Sequence, residues 1–316
     1  MTRVMHLFVI NPAAGKTDST ARIRAEIEKI FGKSSSEYEI YVTQSPGECV
    51  PWLKNRLEAD PSPVRVYACG GDGTLNEVLN GIVGFEHASL ACYPCGTAND
   101  FIKIFGTDCD RIFGDIGALG AADEKRIDIM RCTSDSGATV RHAINICSVG
   151  LDARVARDVH RYSKFPLIGG QAAYILSLIV NVIRGISETY TVAIDGRENT
   201  GRHAIVVAAN GRFYGGSFHA VPEAMPDDGL CDFLSVTKLG RIKLAQIIGR
   251  FKDGRHRDIP DYVSWSRGKT LRVTAKKPFA ANVDGEVWMT RDAAFSIVPG
   301  GLSFAVPNGA SWSNQE

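Results

Sequence analysis

The stretch that decides the fold is Gly70-Gly71-Asp72-Gly73-Thr74-Leu75-Asn76-Glu77. It follows an apolar run over residues 64–69, which predicts a buried strand, and it leads into apolar residues at helical spacing. Glycines between a strand and a helix let the backbone approach an anion closely, and the N–H groups at the helix start can bind it. The stretch therefore predicts a phosphate-binding loop, in which the charge of Asp72 requires a bridging Mg²⁺ or an acceptor hydroxyl.

The composition is that of an ordinary globular protein of 316 residues, with 44% hydrophobic and 22% charged residues. The length allows one large or two medium domains, and the net charge of +1 gives no field that points to nucleic acid. The eight cysteines are scattered and residues 1–10 predict a first strand, so we expect a reducing, cytoplasmic location. For the lone C-x-x-C pair of Cys92 and Cys95, packing is favoured over a metal or redox role.

Two segments bear on membrane contact. Residues 165–183 are uncharged over 19 positions, but Pro166 and glycines interrupt them, and the apolar core over 172–183 has only 12 residues. We therefore expect a buried or surface-docked helix rather than a membrane span. Residues 238–257 hold seven Lys or Arg and one acid, which indicates either a solvated helical face or a patch for anionic lipid headgroups.

The first third of the chain alternates strands and helices, which predicts a doubly wound α/β domain whose loops gather at one crevice. We assign residues 1–131 to this nucleotide-binding domain and expect 300–316 to complete it. Residues 132–299 hold short β-rich segments separated by turns, which predict a β-sandwich with helices near 172–183 and 242–251. The predicted strands of that second part cover 139–148, 190–194, 204–209, 232–236, 270–274 and 293–298.

Two further loops follow predicted strands of the first domain. One contains Gly15-Lys16-Thr17, but Ile10 stands where a P-loop has its first glycine, so a P-loop NTPase is disfavoured. That loop is either a simple strand-to-helix turn or a turn that brings Lys16 near phosphate. The other loop, over 96–101, offers Thr97 for phosphate or ribose and Asp100 for a metal or water, with a helix N-cap as the alternative.

Three acidic segments each allow two interpretations. Asp128 interrupts an apolar strand and needs a partner, either a metal–water network with Asp72 and Asp100 or solvent at an exposed strand edge. Residues 222–230 combine carboxylates and carbonyls that suit a hard cation, or they form an ordinary acidic turn. Asp284-Gly285-Glu286 can combine proton abstraction with a nucleotide or metal contact, or it forms an Asp-Gly hairpin.

Taken together, these segments resemble the diacylglycerol kinase catalytic-domain family, in particular its bacterial lipid kinases, with sphingosine kinases as more distant members. The matching motifs, in order, are Asn11–Lys16, Gly70–Glu77, Gly96–Phe101, Asn145–Ala153, Gly215-Gly216, Pro222-Glu223-Ala224, Asp228-Gly229-Leu230 and Asp284-Gly285-Glu286. The resemblance spans residues 7–306. It implies an NAD-kinase-like α/β domain, a lipid-binding β-sandwich and transfer of the ATP γ-phosphate to a lipid hydroxyl with the help of Mg²⁺.

The resemblance also implies roles for single residues. Asp284 matches the proton acceptor of bacterial relatives, whereas sphingosine kinases use the aspartate matching Asp72, so we expect Asp284 to be the base and Asp72 to act through metal and water. Asp228, or its neighbour Asp227, matches a structural Mg²⁺ site. The other expected metal-site residues are Met225, Leu230, Asp100 and Asp128. The expected nucleotide-contacting residues are Asn11, Lys16, Thr43, Gly70, Gly71, Asp72, Gly73, Thr74, Leu75, Asn76, Thr97, Asn99 and Glu286.

Two rivals and several partners follow from the same residues. An NAD kinase shares a Gly-Gly-Asp-Gly loop, but Asn76, Glu77 and residues 96–101 favour the lipid kinase. A non-catalytic nucleotide-binding regulator is disfavoured by the intact segment 284–286.

We expect a lipid acceptor at the membrane surface, a peripheral membrane contact and no nucleic acid, and the family makes a homodimer plausible. Diacylglycerol, a sphingoid base, ceramide and phosphatidylglycerol all remain open as acceptors. The acceptor pocket is expected between the domains or in the β-rich domain, with the helix at 172–183 lining it.

Overall fold

The structure, a computed structural model, describes residues 4–32, 36–162, 170–216, 218–237 and 239–312, with backbone alone for 160–162 and 170–175. The start of the uncharged segment, 165–169, and Lys238 lie outside the described residues. The chain divides into two compact units. The first unit contains Met1–Ile129, Gly215–Ser217 and Pro299–Glu316, and the second contains Met130–Tyr214 and Phe218–Val298.

The first unit alternates strands and helices, which confirms the predicted doubly wound α/β domain. Its elements are β1 Met5–Ile10, α1 Thr20–Phe31, β2 Tyr38–Val42, α2 Cys49–Ala59, β3 Val64–Gly70, α3 Asp72–Ile82 and β4 Ala88–Pro94. They are followed by a 3₁₀ turn at Phe101–Phe105, α4 Cys109–Phe113, α5 Ile116–Gly120 and β5 Asp123–Ser134.

Strands β2, β1, β3 and β4 lie side by side in that order, each parallel to its neighbours. At the end of β1, Ile10 pairs with Val42 on one side and with Cys69 on the other. At the end of β3, Gly70 pairs with Pro94. Because the strands end together, the loops that follow them leave from the same edge of the sheet.

Burial explains the sequence pattern of these elements. Every residue of β3 is buried, as expected for a parallel strand covered on both faces. Helix α1 buries Ile23, Ile27 and Phe31, whereas Ile30 is 37% exposed. Phe31 stands four and eight residues from the two buried isoleucines, which keeps it on the apolar stripe of a helix with 3.6 residues per turn.

The second unit is rich in strands. Its elements are β6 Thr139–Ala143, β7 Ile146–Gly150, α6 Leu151–Tyr162, α7 Gly170–Arg184, β8 Glu188–Ile194, β9 Arg197–Ala209, β10 Cys231–Thr237, α8 Arg241–Lys252, β11 Val263–Gly268, β12 Thr270–Val283 and β13 Glu286–Val306. The single strand predicted over 139–148 is wrong, because β6 pairs with β5 whereas β7 pairs with β9 and β12. Helices α7 and α8 confirm the two predicted helices, while α6 and β11 were not predicted.

Two long strands, β9 and β12, give the second unit its sandwich. Each pairs with β7 over one stretch and with β8 over another. Alternate residues of β9 enter two different cores: Val206 and Ala208 belong to the core between the sheets, and Ile205 and Val207 to a second core with residues of α6, α7 and α8. The predicted β-sandwich is therefore confirmed, with helices covering one of its faces.

Among the residues of helix α7 whose side chains the structure describes, the two buried ones are polar and two isoleucines are exposed. Ser177 and Asn181 are buried, where Ser177 Oγ donates to the carbonyl of Val155 at 2.9 Å. Ile179 and Ile183 are 50% and 64% exposed. The helix has 15 residues, and nowhere in the described part of the chain is a helix long and apolar enough to cross a membrane.

The last strand returns to the first unit. Near its end, Phe304 of β13 pairs in parallel with Leu90 of β4. The Phe304 ring is fully buried, with its centroid 5.5 Å from that of Phe101 and 6.3 Å from those of Phe105 and Phe113. The end of the chain thus supplies part of the aromatic core beneath the loops after β4.

We expect Phe304→Ala to lower the free energy of unfolding by about 3–5 kcal/mol, because it leaves a cavity among the aromatic rings. Ile30→Ala, at a half-exposed position, should cost less than about 1 kcal/mol. Urea denaturation followed by circular dichroism measures both. Equal losses in the two variants would contradict the role given to the returning strand.

Candidate functional site

Loops after three strands meet at the carboxyl edge of the parallel sheet in the first unit. Asn11 follows β1, and its N–H donates to the carbonyl of Cys69 at 3.0 Å. Its side-chain Nδ2 donates to Thr74 Oγ1 at 2.9 Å, while its Oδ1 accepts the N–H of Ala13 at 2.9 Å. Asn11 therefore ties the first loop to the start of α3.

The glycine loop, residues 70–74, and the Gly96 loop, residues 96–100, approach each other without room for side chains. The N–H groups of Cys95 and Gly96 donate to the carbonyl of Gly70 at 2.9 and 3.1 Å. A Cβ on Gly96 would stand 2.3 Å from the Cα of Gly71. Helix α3 starts directly after Gly71, so its first N–H groups have no partners within the helix. The backbone geometry that a phosphate-binding loop requires is thus present.

Three charged residues form a cluster beside these loops. The N–H of Asp100 donates to Asp72 Oδ1 at 2.6 Å. Asp100 is only 5% exposed, and its oxygens accept from Lys103 Nζ at 2.5 Å and from the N–H of Gly216 at 2.8 Å. Lys103 also donates to the carbonyl of Gly216 at 2.8 Å. The structure therefore brings together Asp72 and Asp100, two of the three carboxylates predicted to share a metal.

The environment of Asp72 changes its acidity. Burial raises the pKa of Asp72 from 3.8 to about 6, and the neighbouring Asp100 carboxylate adds to the increase. The N–H of Asp100 and the charge of Lys103 act in the opposite direction. A carboxyl with a raised pKa in such a loop is typical of a functional site, and a bound divalent cation would relieve the repulsion between the two carboxylates.

Asp128 takes another partner. Its carboxylate accepts the N–H of Gly300 at 2.7 Å, and the residue is 2% exposed, so the alternative of an exposed strand edge is wrong. Within the described ranges, no three His, Cys, Asp or Glu side chains are grouped so as to hold a metal. The place of Asp128 in a metal–water network stays a prediction.

The other predicted nucleotide residues of this unit differ in exposure. Lys16 and Thr97 are exposed, whereas Thr43, Leu75 and Asn76 are buried. Exposed side chains can reach a ligand directly, and buried ones can act only through the shape of the loop. The contacts of all five with a nucleotide stay predictions.

Asn99 shapes the Gly96 loop and offers it an acceptor. Its backbone is left-handed, with φ of 48°, and its Nδ2 donates to the carbonyl of Gly96 at 3.2 Å. Its Oδ1 is buried and has no hydrogen-bond partner within the described residues. A buried amide oxygen without a partner is rare in native proteins, and it is available to a water or ligand hydrogen.

In the second unit, Asp284 occupies the turn between β12 and β13. Asp284 and Gly285 both have positive φ, 47° and 97°, which is the Asp-Gly hairpin foreseen as the alternative. The Asp284 carboxylate also accepts three backbone N–H groups, from Ile144 at 2.7 Å, Asn145 at 3.2 Å and Ile146 at 3.0 Å. A plain turn needs no such bonds, so the hairpin here positions a carboxylate.

The donors around Asp284 are held by an Asn-Gly pair. The carbonyl of Asn145 accepts the N–H groups of Asn210 and Gly211 at 2.9 and 3.1 Å. The side chain of Asn210 donates to the carbonyl of Ile144 at 2.9 Å. Since Asn145 and Asn210 are both buried, this network holds the link between β6 and β7, and with it the carboxylate, in one position.

Two further predicted residues of the second unit have basic partners. Asp228 accepts the N–H of Leu230 at 3.0 Å, and Arg267 lies 3.5 Å from its other oxygen, as in an ordinary acidic turn. Glu286 is exposed and lies 3.6 Å from Arg141. The structural Mg²⁺ site and the nucleotide contact assigned to these residues stay predictions.

The residues of the first unit fit Mg²⁺ and a phosphate chain. In kinases Mg²⁺ is held by one or two carboxylates and completes its shell with water and phosphate oxygens. Asp72 and Asp100 would supply that pair of carboxylates. Glycine at position 96 permits the close approach of the two loops, and the oxygen of Asn99, which has no described partner, adds an acceptor beside them.

Comparisons with known families agree with this geometry. The model of the diacylglycerol kinase catalytic domain matches residues 5–132, and that of the YegS C-terminal NAD kinase beta sandwich-like domain matches residues 145–306. This chain belongs to the diacylglycerol kinase catalytic-domain family. The resemblance predicted from the motifs is thereby confirmed, and so is the fold of both parts.

Individual members of the family match over most of their length. A protein named "Probable lipid kinase YegS-like" from Stenotrophomonas maltophilia is 28% identical over 282 residues, which cover 86% of this chain and 88% of the relative. A diacylglycerol kinase from Staphylococcus carnosus is 26% identical over 281 residues, covering 88% and 87%. The crystal structure of a diacylglycerol kinase from Bacillus anthracis has the same fold, with a TM-score of 0.68 at 19% identity over 98% of this chain and 99% of its own.

Two residues that build this kinase-family site were missed from the sequence. Lys103 stands three residues after Asp100, and that charge spacing on a helical turn was the available signal. Asn210 precedes Gly211 directly after an apolar strand, a pair that marks a turn. In both cases the signal is local, whereas the partners are up to 113 residues away.

We expect Asp72→Asn to raise the thermal unfolding midpoint at pH 8. The folded-state pKa of about 6 lies above the ordinary 3.8, so the folded chain holds this proton more tightly than the unfolded chain does. Stability therefore falls as the pH rises between about 4 and about 6, and the uncharged variant escapes this loss.

Differential scanning calorimetry at about pH 4 and pH 8 tests the expectation, since the gain should shrink at the acidic pH. Asp261→Asn, at an exposed carboxyl, serves as the control and should show no such pH dependence. A gain confined to acidic pH would contradict the sign of the shift.

Proposed function

We propose that this protein is an ATP-dependent lipid kinase that transfers the γ-phosphate of ATP to the hydroxyl of a diacylglycerol- or sphingolipid-like acceptor. The observation that carries the proposal is the pair Asp72 and Asp100 beside the close approach of Gly71 and Gly96, in a chain of the diacylglycerol kinase family. The names of the relatives from Stenotrophomonas and Staphylococcus support a lipid as the acceptor.

The first unit would bind the nucleotide. The free N–H groups at the start of α3 favour phosphate oxygens, and Asp72 with Asp100 would hold Mg²⁺. When bound, Mg²⁺ neutralises charge on the transferred phosphate. Lys103, held by Asp100 and the carbonyl of Gly216, adds a fixed positive charge beside the carboxylates.

The chemical step is a displacement at phosphorus. The acceptor oxygen forms a bond to the γ-phosphorus, the bond from that phosphorus to the bridging oxygen breaks, and ADP leaves with the electron pair. The hydroxyl proton passes to a carboxylate, for which we propose Asp284. Its three backbone donors keep the carboxylate in one orientation, which favours positioned proton transfer. Asp72 would help to hold Mg²⁺.

An apolar pocket in the second unit supports a lipid acceptor. Its cavity of about 60 Å³ is smaller than a typical small-molecule site, so the support for a lipid comes from its apolar lining and not from its size. Helices α6, α7 and α8 and the facing strands line it, with Val155, Leu178, Leu244, Ile247 and Phe251 among the contributors. Because this pocket lies in the β-rich domain with Leu178 of α7 in its lining, we propose it as the acceptor site.

An apolar surface on the same helices supports peripheral contact with a membrane. Ile179, Ile183 and Ile242, here called the isoleucine surface, are 50%, 64% and 79% exposed. Arg241 donates to the carbonyls of Val182 and Ile183 at 3.1 and 2.7 Å, which joins the start of α8 to the end of α7. Exposed apolar groups with basic neighbours bind the interface of anionic bilayers, and Leu178, next to Ile179, lines the lipid pocket.

Asp284→Asn and Asp72→Ala should each reduce phosphate transfer to lipid by at least about 10²-fold, because they remove the proton acceptor and a metal ligand. The assay uses labelled ATP, Mg²⁺ and a panel of lipids, with NAD as a second acceptor, and chelation of Mg²⁺ should abolish the signal. Asp261→Asn is the matched control, and circular dichroism checks folding.

Three outcomes would contradict the proposal. Label on NAD alone would show an NAD kinase. Nucleotide binding without transfer to any acceptor would show a regulator. Full activity in either variant would remove the mechanism.

The isoleucine surface predicts membrane binding that can be separated from catalysis. The double variant Ile183→Asp and Ile242→Asp should weaken sedimentation with vesicles of anionic phospholipid by more than about tenfold, since burial of each side chain contributes about 1.5–3 kcal/mol. Activity on a short-chain acceptor in solution should stay near the wild-type level. Ile30→Asp changes an exposed isoleucine of the first unit, and an equal loss of binding in that variant would contradict the assignment.

A further inference from the structure

A single charged side chain lines the apolar pocket of the second unit. Among the described residues around this pocket, Asp152 alone is charged. Asp152 lies in the first turn of α6, just after the end of β7. Both of its carboxylate oxygens are closed from solvent and have no hydrogen-bond partner within the described residues. Ser148 Oγ, buried on β7, also has no described partner at hydrogen-bond geometry, although its hydroxyl is near enough to act on Asp152.

Such a carboxylate is costly for the folded chain. Burial raises the pKa of Asp152 to about 6, although the Ser148 hydroxyl and the N–H of Ala153 act in the opposite direction. Buried polar groups in native proteins almost always have partners, and an exception indicates a missing water, an ion or a functional role. Since Asp152 lines the pocket, a ligand of that pocket is the nearest source of a donor.

The helix start alone does not explain this residue. A carboxylate in the first turn is favoured by the helix dipole, and it normally accepts a backbone N–H there. Asp115, at the start of α5, does so, with the N–H of Ala118 at 3.0 Å. At Asp152 the N–H of Ala153 acts on the carboxylate, but no donor among the described residues reaches hydrogen-bond geometry. Both carboxylate oxygens can therefore accept hydrogen bonds from a donor outside helix α6.

Strand β7 links Asp152 to the proposed base. The N–H of Ile146 donates to Asp284 at 3.0 Å. Ser148 lies two residues further along the same strand, about 7 Å from Ile146. Asp152 follows in the next turn of the chain and interacts with Ser148. An acceptor with its reacting hydroxyl at Asp284 would therefore present its neighbouring polar group toward Asp152 and its tail toward the pocket.

We propose that Asp152 selects acceptors that carry a second polar hydrogen, on a hydroxyl or an ammonium group, beside the reacting hydroxyl and a single apolar chain. The inference rests on the proposed lipid kinase function. Diacylglycerol offers no such hydrogen, because its other oxygens belong to esters and only accept. Long-chain amino alcohols and monoacylglycerols offer one. The Asp152 side chain must turn toward the bound lipid, since both oxygens are closed from solvent in the structure.

The test compares three acceptors of equal chain length in mixed micelles: a long-chain amino alcohol, a monoacylglycerol and a diacylglycerol. For the wild-type protein, kcat/KM should be at least about tenfold higher for the first two, the expected effect of one hydrogen bond to a charged group. Asp152→Leu should remove this preference and leave diacylglycerol within about twofold of wild type. Asp261→Asn should change none of the three values.

A second variant identifies the source of the hydrogen. An amide oxygen still accepts from a hydroxyl but carries no charge, so Asp152→Asn should keep activity on monoacylglycerol and lose it on the amino alcohol. Binding of a fluorescent long-chain amino alcohol without ATP should weaken in parallel. Both variants should unfold at a higher temperature than wild type at pH 8, because they remove a buried charge without a partner.

Three results would overturn the inference and leave the kinase in place: a wild-type preference for diacylglycerol, equal activity on all three acceptors, or an equal loss on all three in both variants. Absence of label on every lipid would instead refute the proposed function itself.

Discussion

The close approach of two backbone segments, at Gly71 and Gly96, is the constraint on which the first unit depends. A Cβ on Gly96 would stand 2.3 Å from the Cα of Gly71, which is too close. Glycine is therefore needed where the loops after β3 and β4 leave the same edge of the sheet. The parallel register brings the two loops together. The first N–H groups of α3, which have no partners within the helix, lie at this place and can bind an anion. The position of Asp72 in the first turn of α3 follows from this arrangement.

The two aspartates of the proposed mechanism are held in opposite ways. Asp72 lies near a second carboxylate and has a raised pKa, so its environment favours the arrival of a cation or a proton. Asp284 accepts three backbone N–H groups from the link between β6 and β7, so its environment fixes the orientation of the carboxylate. Phosphate transfer needs both a site that attracts a cation and a fixed proton acceptor, and we propose Asp72 for the first role and Asp284 for the second.

Patterns with a local cause were predictable from the sequence. The strand, glycine loop and helix around Asp72 follow from residue spacing, and so do the parallel order of β1 to β4 and the proximity of Asp72 to Asp100. The features that were not predicted depend on contacts between residues far apart in the sequence. The break at Ile144 and Asn145 exists because β6 and β7 have different partners, and the partner of Asp128 is Gly300, 172 residues away. Helix α7 was found from its apolar run, but which of its faces is most buried was not visible, because the polar residues Ser177 and Asn181 lie on that face.

The path of β13 has a consequence for how the protein is made. The strand starts in the second unit at Glu286 and ends at Val306 beside β4, where Phe304 closes an aromatic core built from residues near position 100. During synthesis the aromatic core of the first unit therefore stays incomplete until about two hundred further residues have left the ribosome. The first unit, although encoded first, is completed last, and this order favours a pause in which the nascent chain exposes apolar surface to chaperones.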